Sequence, residues 1–160
     1  MSEPATTSLA ALRALTGAGY NYYRDTNRQR ADDLLVRGHA GDAVCRAAAR
    51  VAEAAIAARR ALPPVSREVP FPDPVLLAQL TQLRELQARL GTLETRLRGP
   101  AALPDGDFSR LRASPQYCDR LVQLDAALID AAGAPDLEHN IDAMNTILDA
   151  RASLASWSPS

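Results

Sequence analysis

Residues 74–98 read PVLLAQLTQLRELQARLGTLETRLR, and this stretch decides the fold class. Its leucines fall at Leu76, Leu80, Leu83, Leu86, Leu90, Leu93 and Leu97. The steps are four or three residues throughout, two heptad runs joined by one skip, which is the period of a helix buried along one side. Asp73 is a good N-cap and Pro74 suits the first helical position. Gly99 and Pro100 mark the end. Glu85 with Arg89, and Glu94 with Arg98, are i,i+4 pairs that support the exposed side.

Outward to the N-terminus, residues 63–74 (PPVSREVPFPDP) hold five of the eleven prolines. Proline lacks an amide proton and fixes φ, so this is an extended crossover. Before it, Val44, Ala48, Val51, Ala55, Ala58 and Leu62 keep a strict 4-3-4-3-4 spacing, a heptad seam with mostly alanine knobs. That helix is expected to start at Asp42. Gly38 and Gly41 are expected to close an earlier helix running from Asn21 to about Arg37. Tyr23, Asn27, Ala31, Leu34 and Leu35 are its predicted buried side. Asp33 with Arg37, and Arg28 with Asp32, are its i,i+4 pairs. A short helix is expected at 8–16 and a disordered stretch at 1–7.

Outward to the C-terminus, Ser114 and Pro115 repeat the cap-plus-proline start. The helix to about Ala132 should bury Tyr117, Leu121, Leu124 and Leu128. Gly133 and Pro135 separate it from a last helix, 135–155, with Leu137, Ile141, Met144 and Leu148 inside. The expected fold is all-α: an up-and-down antiparallel bundle of four main helices plus a short N-terminal helix, one domain over 8–156.

Composition agrees. Apolar residues are 47% and charged residues 23%, ordinary for a globular chain, while aromatics are only 4%. The apolar share is dominated by Ala and Leu, the strongest helix formers. Every one of the 18 basic residues is Arg. Residues 1–100 carry 14 arginines against 10 acids, and residues 101–160 carry 4 against 9. Parts of opposite charge can attract within one chain or between two copies. No secretion signal or membrane span is read, and Cys45 and Cys118 lack metal-ligand spacing, so a cytoplasmic protein with two structural thiols and no membrane partner is expected.

Three constellations are candidates for chemistry. Tyr20, Arg24 and Arg28 form an i,i+4 row if 21–37 is one helix, and a stacking ring with two guanidiniums suits single-stranded nucleic acid. Glu138, Asp142 and Asp149 line one side of the last helix and are the metal candidate, with a solvated acidic face as the plainer reading. His39 and His139 sit in no nucleophile or metal motif. No catalytic residue and no cofactor is assigned.

Residues 31–62, ADDLLVRGHAGDAVCRAAARVAEAAIAARRAL, resemble the first hairpin of HEPN-type helical bundles, which share an A-x-x-L-L-x-x-G-x-x-x-x-A-V pattern followed by an Ala-rich helix. Tetratricopeptide hairpins read much the same. The HEPN resemblance implies a bundle that dimerises and acts on RNA or partners a nucleotidyltransferase. The family's catalytic pattern, Arg then His after four to six residues, is absent before His39 and His139, so RNase activity is not implied. The expected function is therefore a non-enzymatic helical module working by protein contact or self-association. A nucleic-acid-binding protein using the Tyr/Arg helix is the alternative, and a metal-dependent all-α enzyme the second.

Overall fold

A computed structural model describes residues 13–14, 17, 21–24, 29–64, 66–67, 71–99 and 114–154. Four helices pack together: α1 (Gln29–Ala61), α2 (Pro74–Arg98), α3 (Pro115–Gly133) and α4 (Ile141–Ser153). A 3-10 turn, Leu137–Asn140, leads into α4. There is no strand among the described residues, so the fold is all-α.

The caps fall where their chemistry places them. The Asp73 side chain accepts the Val75 amide at 2.8 Å, and Pro74 follows it. Ser114 accepts the Tyr117 amide at 3.4 Å ahead of α3. The Gly99 amide closes α2 on the Thr95 carbonyl at 2.8 Å.

Cross-helix pairs give the chain directions. Arg98 near the end of α2 meets Asp42 in the first half of α1 at 2.8 Å, so α1 and α2 are antiparallel. Asp33 and Arg50 of α1 meet Arg151 and Glu138 respectively, which sets α1 antiparallel to α4. Arg89 and Arg96 of α2 meet Asp142 and Asp149 in the same order, so α2 and α4 run parallel. The order is up, down, up, down.

The core joins Val36, Ala40, Val44, Ala47 and Val51 of α1 to Leu90, Leu93 and Leu97 of α2. Tyr117, Leu121 and Leu128 of α3, and Ile141, Met144 and Leu148 of α4, complete it. The leucine stripes predicted for α3 and α4 are therefore core; of the α2 stripe Leu90, Leu93 and Leu97 are core, Leu83 and Leu86 are partly covered against it, and Leu76 and Leu80 lie outside it.

Three expectations about the N-terminal half fail. Gly38 and Gly41 do not break the chain: α1 is one helix of 33 residues. The stretch 31–62, read as a hairpin, lies almost wholly inside it. Each glycine costs about 1 kcal/mol relative to alanine in a helix, but Ala40, Val44 and Arg37 on the neighbouring turns are buried and hold the helix through. The buried side is also different. Leu34 and Leu35 are 64% and 42% exposed and Ala31 is exposed, whereas Asp32, Asp33, Val36 and Arg37 face inward. Inward carboxylates and guanidiniums are tolerated there because other helices supply their partners. The predicted start at Asn21 also fails: 21–24 is a turn, and Tyr23 has a φ of 59°. Asn27 and the 1–7 stretch lie outside the described residues, as does the 8–16 helix apart from Arg13 and Ala14.

Gly38 supplies a test of the continuous helix. It lies in helical backbone, and nothing is within 4 Å of where a Cβ would stand. Gly38→Ala should raise stability by about 0.5–1 kcal/mol in urea unfolding. A loss of stability would mean that the backbone there is not helical.

Candidate functional site

The most constrained place in the molecule is a cluster of charged side chains in the core. Arg151 of α4 and Asp125 of α3 are both 0% exposed. Arg151 Nε lies 2.7 Å from Asp125 Oδ1, an ion contact off the ideal hydrogen-bond line. Its Nη2 donates to Asp33 Oδ1 at 2.8 Å. The other Asp33 oxygen accepts Arg37 Nη2 at 2.8 Å and Nε at 3.0 Å. Arg37 Nη1 then reaches out to the Leu97 carbonyl at 2.7 Å and the Gly99 carbonyl at 3.2 Å, at the end of α2. One chain of contacts thus touches all four helices.

The turn before α1 is tied into the same cluster. The Tyr23 hydroxyl donates to Asp125 Oδ2. The Tyr23 amide donates to Asp32 Oδ2 at 2.8 Å, and its carbonyl accepts Gln29 Nε2 at 2.9 Å. The left-handed φ of Tyr23 is strained for a bulky residue, and these three bonds hold it. Beside it, the Cys118 thiol donates to the Tyr22 carbonyl at 3.3 Å. Burial pushes that thiol's pKa up, so it stays a neutral donor.

Asp32, Asp33 and Asp125 thus share one buried cluster with the guanidiniums of Arg37 and Arg151. Burial pushes Asp125 up to about 6, although Arg151 and the Tyr23 hydroxyl favour its charged form. Burial also opposes the charge on Arg151, but Asp125, Tyr23 and Asp33 outweigh it and hold the guanidinium firmly protonated. Tyr23 is held well above its ordinary value, first by burial and then by Asp125. It therefore acts as a hydroxyl donor.

The sequence-predicted sites are dispersed. Tyr20 and Arg28 lie outside the described residues. Arg24 sits in the turn rather than on α1, and it is exposed and paired with Asp119 at 2.5 Å. Glu138 is on the 3-10 turn, Asp142 and Asp149 on α4. Each acid meets an arginine of its own: Arg50 at 3.6 Å, Arg89 at 2.7 Å and Arg96 at 2.5 Å. No group of three metal-ligating side chains stands together among the described residues. Both cysteines are free; Cys118 is buried as expected, but Cys45 is exposed rather than on an apolar face. His39 is in mid-helix, lining a cleft of about 700 Å³ with Asp130 as the other polar side chain. No described helix is long and apolar enough to cross a membrane.

The second distinctive feature is a projecting arm. Arg50 of α1 and Arg89 of α2 are the levels at which Glu138 and Asp142, at the α3–α4 end, make contact. Beyond them run residues 51–61 of α1 and 74–88 of α2. The α1 portion alone is about 16 Å long at ~1.5 Å per residue. Along this arm Ile56, Val75 and Leu77 are 53%, 72% and 39% exposed, and Phe71 in the connection is 81% exposed.

Comparison of the chain with protein-family models, with curated proteins and with solved structures gives no match.

Two outcomes follow from the ion cluster. Arg151→Met leaves two buried carboxylates short of a cation, and should cost about 3–5 kcal/mol in denaturant unfolding. The second concerns pH. Because folding raises the Asp125 pKa, its contribution is fully present below the unfolded value and is lost as pH rises through about 6. Between pH 7.5 and 5 the parent should gain about 1 kcal/mol over Asp125→Asn, which cannot titrate. Parallel pH profiles for the two proteins would show that Asp125 does not titrate in this way.

Proposed function

We propose that this protein is a non-enzymatic helical module that works by protein contact, and that its partner is a further copy of itself. One observation carries the reading: the α1–α2 hairpin outruns the other two helices and exposes Ile56, Phe71, Val75 and Leu77 along and beside the projecting length. An isolated pair of short helices gains little stability on its own, since most helix stability in proteins comes from packing of the apolar face. Four of the six large exposed apolar side chains among the described residues lie on or beside this projection, Leu34 and Leu35 being at the other end of α1, and apolar surface of this kind serves for contact where it is contiguous. The buried ion cluster supports the same reading from the other side. Apart from Arg151 Nη1, which is buried without a hydrogen-bond partner, its charged side chains are held by one another and shut from solvent, which suits a scaffold.

Sedimentation equilibrium tests the reading. The parent should sediment as a dimer or larger species at about 10 µM, a concentration at which a contact of ordinary interface size holds. A monomer at that concentration, combined with a salt-sensitive complex with single-stranded RNA or DNA, would replace this reading with a nucleic-acid-binding one.

A further inference from the structure

The face of the hairpin that α3 and α4 cover continues past the point where they stop. Positions one heptad apart stay on the same side of packed helices. On α1 the series Ala40, Ala47, Ala54, Ala61 is buried in its first two members and exposed in its last two. The series Val36, Ala43, Arg50, Ala57 behaves the same way. On α2 the series Leu97, Leu90, Leu83, Leu76 goes from 1% and 0% exposed to half-buried, and Leu93 gives way to a half-buried Leu86. The lower half of this face is filled by an antiparallel helix pair, α3 with α4. The upper half has the same small and aliphatic residues and no such pair over it among the described residues.

Charge says what fits there. Arg59, Arg60 and Arg67 are exposed at the arm's tip, and none has an ion pair among the described residues. At the arm's base, where α3 ends and the 3-10 turn begins, Asp130 and Asp136 are exposed and likewise unpaired among the described residues. The last turn of α3 carries no basic residue of its own, although Arg46 and Arg50 of α1 line the cleft beside it. The arginines at the tip and the two aspartates at the base, one arm-length apart, are complementary when two arms lie side by side in opposite directions.

Resting on the self-association reading above, we infer that two copies pair through their arms by a two-fold axis, antiparallel, so that each arm fills the open upper face of the other. Each basic tip then lies against the partner's α3–α4 end. The two arms together make a four-helix bundle in which the partner arm stands where α3 and α4 stand lower down. The exposed alanines Ala54, Ala57 and Ala61 let the helices approach closely, as the alanine seam already does within the chain.

The test uses the full chain in sedimentation equilibrium, with circular dichroism melting to confirm folding. Ala54→Glu/Ala61→Glu places charges on two exposed helix positions, so the fold should hold. Dimer affinity should fall by about a hundredfold or more, since buried unpaired charge at an interface centre is strongly unfavourable. Ala143→Glu, on the exposed side of α4, should leave the dimer unchanged. Arg59→Glu/Arg60→Glu should weaken the dimer, and mixing it with Asp130→Arg/Asp136→Arg should restore pairing as a heterodimer. A dimeric parent whose Ala54→Glu/Ala61→Glu variant dimerises equally well would overturn the arm pairing while leaving self-association intact. A parent monomeric up to about 100 µM, whether or not the arm binds some other protein, would overturn both.

Discussion

The carboxylate of Asp33, shared between Arg37 and Arg151, is the contact on which the arrangement of the four helices depends. From it one arm of the network runs through Arg151 to Asp125 and the Tyr23 hydroxyl. The other runs through Arg37 to the carbonyls that end α2. Burying such groups is expensive, and well-packed hydrophobic residues often give equal or greater stability. What the ions add is position. The α1 side of the α1–α2 seam is built of alanines and valines, against leucines of α2. A slip of one turn, about 5.4 Å, would part Arg151 from Asp33 and leave both charges dry and alone.

Much of the architecture was legible in the sequence, and the reason is periodicity. Leucine or its equivalents at three- and four-residue steps located α2, α3 and the body of α4, whose start is at Ile141 after a 3-10 turn rather than at 135, and Asp73–Pro74 and Ser114–Pro115 located two helix starts to the residue. The errors cluster where residue type and periodicity conflict. Glycine at 38 and 41 signals a stop, yet the flanking turns are packed and the helix runs through. Asp33 and Arg37 were legible as a pair but not as a buried one. Their apolar neighbours Leu34 and Leu35 drew the inward face to the wrong side.

The ion network itself left a signal that residue type concealed. Arg151 continues the stripe Leu137, Ile141, Met144, Leu148 at its next three-residue step. Asp125 stands four residues after Leu121 and three before Leu128, on the buried side of α3. Asp33 precedes Val36, Ala40 and Val44 at core spacing on α1. A charged residue in phase with a core stripe, repeated on three helices with both signs present, is the pattern of a buried network. Tyr23 adds the remaining member through a turn whose positive φ no side-chain pattern announces.

The two halves of α1 therefore have different tasks. The N-terminal half is polar on its inner side and over-determined by named contacts. The C-terminal half is alanine-rich with arginines at its tip, makes one tertiary ion pair among the described residues, Arg50 with Glu138, and runs on beyond the reach of α3 and α4. A helix of 33 residues is about 50 Å long, against about 20 Å for the 13 of α4, so projection follows from length alone. The ion cluster at the opposite end ties α3 and α4 to α1 at one level. Length sets how far the arm projects and the buried charges set from which level, so that among the described residues α3 and α4 leave its outer face open.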